Sequence, residues 1–88
     1  MLPLYEITPH AEEELDRRGI HRDLLNSIVN NPQQVTDGYD GRKTFQSIVK
    51  MEGDREYLIR IIVDDRVHPL RIITVYRTSS IKKYWKET

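Results

Sequence analysis

The spacing of apolar residues changes twice along this chain, and the changes mark its elements. Residues 4–8, LYEIT, alternate, with Leu4 and Glu6 on one side and Tyr5 and Ile7 on the other, which predicts a short strand. Thr8 then stands where a helix cap belongs, and Pro9 takes the first helical position, where a missing N–H costs nothing. A helix over Pro9–Arg18 is predicted. Its charges suit the macrodipole, with Glu12, Glu13 and Glu14 near the start and Arg17 and Arg18 at the end. Gly19 is the predicted stop, and Ile20 is placed to pack back on the helix it leaves. Leu24, Leu25, Ile28 and Val29 recur at helical spacing, giving a second helix from His21 or Arg22 to Asn30 that Asn31-Pro32 ends. The two helices form a hairpin.

Beyond it the pattern becomes that of strands. QQVTD, RKTFQSIVKM, EYLIRIIV and LRIITVYR are rich in Val, Ile, Tyr, Phe and Thr and are separated by GYDG, EGD and DDRVHP, so a four-stranded meander is predicted. The Asp-Gly pairs of DGYDG suit a hairpin turn with positive φ. In TSSIKKYWKE, capping hydroxyls precede Ile81, Tyr84 and Trp85 at i, i+3 and i+4, which predicts a short C-terminal helix. The expected fold is α+β: an antiparallel sheet of four to five strands, element order β-α-α-β-β-β-β-α, with the N-terminal helical hairpin packed on one face. Strands 57–63 and 70–76 are apolar on both sides, so they should be central, with the second face covered by the C-terminal helix or a partner chain.

Residues 1–88 read as one domain, of a size that buries only about 60 to 65% of its unfolded-chain surface, so a covering partner would help. There is no cysteine for a disulfide or a thiolate zinc site. No apolar run is long enough to span a membrane, and the first residues lack a basic segment followed by an apolar one; no membrane partner and a cytoplasmic location are the expectation. Net charge is zero, but residues 1–41 carry three basic residues against eight acidic ones, and residues 42–88 eleven against six. Such a dipolar chain either attracts its own halves or presents one face to a polyanion.

On the first helix Ala11, Leu15 and Arg18 share an apolar stripe that should face the sheet, with His10, Glu14 and Arg17 beside it. At His10, in the first turn, the helix dipole disfavours imidazolium and favours the neutral ring. It can take a proton from a 2′-hydroxyl as a general base, or hydrogen-bond a backbone group and stay inert. His10 and Glu14 are spaced i, i+4, but His21 and His68 lie elsewhere; no ligand spacing is recognised, so no metal and no cofactor is expected. On the last strand, strict alternation puts Arg71 and Arg77 with Ile73 and Val75 on one face, and Ile72, Thr74 and Tyr76 on the other. With Arg42, Lys43, Arg60, Lys82, Lys83 and Lys86, these cations can line a groove that holds a phosphate backbone. Tyr76, Tyr84 and Trp85 can stack on unpaired bases, or Tyr84 and Trp85 can be the core side of an amphipathic helix.

ITPHAEEELDRRGI resembles the opening signature, HA-x-x-R-x-x-x-R-G-I, of the prokaryotic family called domain of unknown function 4258, met here by His10, Ala11, Arg18, Gly19 and Ile20. Glu14 stands where that family usually has its first arginine. IITVYR looks like its final strand. The order of elements and RIITVYRTSSIKKYW are also similar to the BrnT and RelE/ParE toxins, small sheet proteins under two N-terminal helices. Arg71, Ile72 and Ile73 match the BrnT-like tail, Thr74 stands for its serine, Tyr76 replaces its second arginine, and its Glu-Arg pair is absent. The resemblance implies a RelE/BrnT-like toxin-type domain of a toxin-antitoxin system that cleaves RNA without a metal. Read so, Arg71 and Arg77 bind the scissile phosphate, His10 or Tyr76 moves protons, Arg42, Lys43, Arg60, Lys82 and Lys83 hold RNA, and an antitoxin-like protein is the partner. The alternative is a non-catalytic protein-binding module, and a homo-oligomer using the second sheet face is the remaining partner. The enzyme reading requires the cations to gather in one concavity with the imidazole near its rim.

Overall fold

A computed structural model describes residues 4–87. The elements follow the expected order: β1 (Tyr5–Ile7), α1 (Pro9–Arg17), α2 (Arg22–Asn30), β2 (Gln34–Asp37), β3 (Lys43–Lys50), β4 (Glu56–Asp64), β5 (Leu70–Thr78) and a single-turn α3 (Ile81–Tyr84). Local chemistry accounts for the helix ends. The Thr8 hydroxyl accepts from the Ala11 N–H at 3.1 Å, Pro9 opens α1, and Gly19 at φ +63° lets the Ile20 N–H reach back to the Leu15 carbonyl at 2.9 Å. Ile20 is thereby buried against α1.

All five strands form one sheet in the order β1-β5-β4-β3-β2. β2 to β5 are the antiparallel meander, but β1 lies parallel to β5, with Tyr5 opposite Leu70 and Ile7 opposite Ile72. The sheet is therefore mixed, not wholly antiparallel. The meander sets only the directions of consecutive strands; β1 is joined to β2 through the helical hairpin, which carries the chain to the opposite edge of the sheet.

The hairpin covers one face. Ala11, Leu15, Ile20, Leu25, Ile28 and Val29 pack on Ile59, Ile61, Val63, Ile72 and Val75, all buried, in one cluster. Each fully buried Leu or Ile there contributes about 1.5–3 kcal/mol of transfer free energy. The Tyr5 hydroxyl donates to Asn26 Oδ1 at 2.8 Å and fastens β1 to α2. Among the described residues no helix is long and apolar enough to cross a membrane.

One irregularity reorganises β5. The register pairs Ile62 with Thr74 but Val63 with Ile72, so Ile73 is an extra residue. A bulge of this kind moves everything beyond it to the opposite face. Ile72 joins Val75 in the core, and Arg71, opposite Asp64, joins Thr74 and Tyr76 on the face away from the hairpin. Strict alternation misplaces both Ile72 and Arg71 for that reason. Arg77, opposite Ile59, remains on the hairpin side.

The stripe beside the apolar one on α1 is also partly buried. Glu14 is buried, and its carboxylate is bracketed by Arg17 at 2.5 Å and Arg18 at 2.8 Å. These hydrogen bonds hold its carboxyl pKa down at about 2, well below 4.5. Because the folded-state value is depressed, the stabilisation is present above about pH 4.5 and is lost as the pH falls towards 2. In urea unfolding, the midpoint of the wild-type chain should fall through that window more steeply than that of Glu14→Gln, and parallel curves would remove Glu14 as the cause.

The Thr8 hydroxyl also donates to the Ile73 carbonyl at 3.1 Å, so one group caps α1 and ties it to the bulge. Thr8→Ala should cost about 1–2 kcal/mol in urea unfolding, with Thr8→Ser retaining most of the stability.

Candidate functional site

The face away from the hairpin carries a polar row across the middle of the sheet. Gln34 on β2, Gln46 on β3, Arg60 on β4 and Tyr76 on β5 are register partners in succession, so the meander itself aligns them. Gln46, fully buried, donates to Gln34 Oε1 at 2.7 Å and to the Tyr84 carbonyl at 3.2 Å, and its Oε1 accepts from Arg60 Nε at 2.9 Å. Arg60 Nη1 donates to the Tyr76 hydroxyl at 2.6 Å. The guanidinium carbon is 5.7 Å from the Tyr76 ring centre and 4.3 Å from that of Tyr84, which α3 lays over it. The two rings meet edge to face at 6.3 Å. The C-terminal tail is pinned beside them, because Gln34 Nε2 donates to the Lys86 carbonyl at 2.7 Å and Gln34 Oε1 accepts from the Lys86 N–H at 3.1 Å.

Next to this row lies a cavity of about 660 Å³ lined by Asp37, Gly38, Tyr39, Arg42, Thr44, Arg60, Ile62, Thr74 and Tyr76. The volume is typical of a small-molecule or nucleotide site. Arg42 Nε is buried there without a hydrogen-bond acceptor. None of the ion pairs among the described residues includes Arg42 or Arg60. Asp37 also lines the cavity, its carboxylate bonded to Lys43, and Asp64 acts from outside the lining. The Asp64 carboxyl is held down at about 2 chiefly by hydrogen bonds from Arg66, with Arg42 adding attraction at longer range. The cavity is thus lined by two guanidinium groups that no carboxylate of the described residues neutralises, which favours an anion there.

His10 lies beside this cavity, outside its lining. β1 ends opposite Ile72, so α1 runs along the part of the β5 edge that β1 leaves uncovered. There His10 Nε2 is 3.2 Å from Thr74 Oγ1. Thr74 is a lining residue two positions from Tyr76 on the same face, about 7 Å away along the strand. Further along the helix, the Arg18 guanidinium, held by Glu14, is 5.9 Å from the Tyr76 ring centre. Glu14, at the position where the resembling family has an arginine, is therefore occupied in fixing Arg18.

The structure brings together Arg42, Arg60 and Tyr76, with His10 at their rim. It does not bring in the others. Arg77 is on the opposite face, bound to Glu52 at 2.9 Å and lying 4.9 Å from the Tyr57 ring centre, because the alternation of β5 puts it with Val75. Arg71 is exposed at the far end of the cavity's face, beyond the bulge. Lys43 is held by Asp37 at 2.6 Å and is not a lining residue. Lys82 and Lys83 are exposed on α3, and Lys86 lines a smaller groove of about 360 Å³ beside β2. Trp85 is half-buried but lies just past the end of α3 in extended backbone, so it is not the core side of a helix as its spacing predicted. Among the described residues no three His, Cys, Asp or Glu side chains lie together as a metal would require.

The sequence pointed to three of the nine lining residues, Arg42, Arg60 and Tyr76, and not to the other six. Thr44 and Thr74 carry no pattern that separates them from other strand threonines. Tyr39 carried one: a tyrosine at the tip of a glycine-rich turn has no core to join.

No curated protein and no solved structure matches this chain. A family model does match it, over residues 7–77, a span that begins at the last residue of β1 and includes His10, Arg42, Arg60 and Tyr76. The chain belongs to the family described as domain of unknown function (DUF4258).

Proposed function

We propose that this chain is a toxin-like endoribonuclease that cleaves RNA with its own acid and base side chains. The observation that supports the reading is that Tyr76 and two arginines outside the ion pairs of the described residues line one concavity, with His10 3.2 Å from its wall residue Thr74. In this reading a 2′-hydroxyl of the RNA attacks the adjacent phosphorus. His10 takes the proton of that hydroxyl, and the oxygen–phosphorus bond to the 5′-oxygen of the next nucleotide breaks. Tyr76 gives the leaving oxygen its proton, and the products are a 2′,3′-cyclic phosphate and a 5′-hydroxyl. Arg42 and Arg60 hold the charge that builds on the phosphorane oxygens. Arg60 is suited to this because Gln46 and Tyr76 fix its plane before any ligand arrives. The phosphate role falls to Arg42 and Arg60 rather than to Arg71 and Arg77, while exposed Arg71, Lys82 and Lys83 are available to flanking RNA.

A second reading, a non-catalytic module that binds a protein partner of antitoxin type, is favoured by the outer edge of the sheet. β2 pairs only with β3, and Val35 on it is 53% exposed. An extended segment of a partner can add to such an edge. Both readings are compatible with one another, since an antitoxin of a nuclease is itself a bound protein.

The test is purified protein incubated with total RNA in EDTA. Wild type should cleave, His10→Ala and Tyr76→Phe should be slower by about 100-fold or more, and Arg60→Met comparably so, provided circular dichroism shows each variant folded. Equal decay in every sample, or none in any, removes the enzyme. For the partner, affinity purification from cells should return a small protein at stoichiometric yield, and a bare chain would count against it.

A further inference from the structure

We infer that Tyr39 is a stacking platform for one unpaired nucleobase of the RNA, whose phosphate lies on Arg42 and Arg60. The inference rests on the reading of the cavity as an RNA site and adds which part of the polymer it takes.

Tyr39 is 92% exposed, yet its residue forms part of the cavity wall. The four other tyrosines are engaged: Tyr5 with Asn26, Tyr57 with the Arg77 guanidinium, and Tyr76 and Tyr84 with Arg60 and each other. Tyr39 alone among them offers a ring face to solvent at the site. The turn that carries it is well fixed. The Gly38 N–H donates to the Arg42 carbonyl at 2.8 Å, and the Arg42 N–H to the Tyr39 carbonyl at 3.0 Å. Asp40 and Gly41 follow at φ 57° and 74°. The Arg66 guanidinium, anchored on Asp64 at 3.0 Å, lies so close over Gly41 that a Cβ there would be 2.8 Å from its Nη1. The backbone under the ring is thus ordered before a ligand binds, which lowers the cost of using it.

Two features of one turn then answer two parts of one ligand. The ring offers a π-face, and Arg42, three residues on, lines the same cavity with a guanidinium outside the ion pairs of the described residues, as does Arg60. A nucleotide presents a flat base and an anionic phosphate. A base inside a duplex has both faces covered by its neighbours, so only a base in a single strand, loop or bulge can meet Tyr39.

The test measures anisotropy of a fluorescein-labelled single-stranded 2′-O-methyl oligonucleotide, which binds without offering the 2′-hydroxyl for cleavage. Tyr39→Ala should weaken binding about tenfold, and Tyr39→Phe, which keeps the ring face, should restore it. The same strand annealed to its complement should bind more weakly, and Arg42→Met should weaken both the single strand and inorganic pyrophosphate. The stacking inference falls, with the RNA site standing, if Tyr39→Ala binds like wild type, if Tyr39→Phe is as weak as Tyr39→Ala, or if the duplex binds as well as the single strand. A wild-type chain that binds no oligonucleotide at all removes the RNA site and the platform together.

Discussion

Arg60 is a cation in the middle of a five-stranded sheet with no carboxylate bound to it. Placing a guanidinium there is costly unless its N–H groups are satisfied, and the sequence satisfies them with neutral partners. Gln46 takes Nε, the Tyr76 hydroxyl takes one hydrogen of Nη1, and the rings of Tyr76 and Tyr84 cover the guanidinium. Much of the second face follows from this arrangement. α3, one turn long and without a fully buried residue, has its place because Tyr84 covers Arg60 and its carbonyl accepts from Gln46. A carboxylate partner would have neutralised the site. Neutral partners leave it positively charged and the remaining donors of Arg60 directed at whatever fills the cavity.

The parts of this arrangement readable in advance are those set by local chemistry. Thr8-Pro9 and Gly19 fix both ends of α1, and the four β-rich segments fall close to their observed limits, because caps and turns depend on a few neighbouring residues. The direction of β1 was not readable, since it depends on where two helices deliver the chain. The bulge at Ile73 was not readable either. Nothing in IITVYR distinguishes a residue that pairs from one that is skipped, yet that skip decides that Ile72 enters the core and Arg71 leaves it. For the site, the residue types were legible and their grouping was not. Arg60 and Tyr76 come from two strands, Arg42 from the turn before β3 and His10 from a helix, and only the register and the exposed stretch of the β5 edge bring the first three to one concavity and His10 beside it.

The charge asymmetry of the chain resolves in an unexpected way. Acidic and basic halves need not pair with each other, and here they scarcely do. Glu14 binds Arg17 and Arg18, Glu12 binds Arg22, Asp64 binds Arg66 and Glu52 binds Arg77, while Lys43 with Asp37 is the one ion pair among the described residues that joins residues 1–41 to residues 42–88. The acidic helix start consumes its own neighbours' charge. Arg42 and Arg60 consequently keep their field.

A chain of zero net charge can for this reason favour an anion at one place, because at ångström range the potential in a concavity is set by the charges that line it and by how few acids oppose them, rather than by the sum over the molecule. The helix start is placed by geometry instead of charge: the Thr8 hydroxyl caps α1 and bonds the Ile73 carbonyl, and His10 is thereby brought within 3.2 Å of Thr74 on the cavity wall.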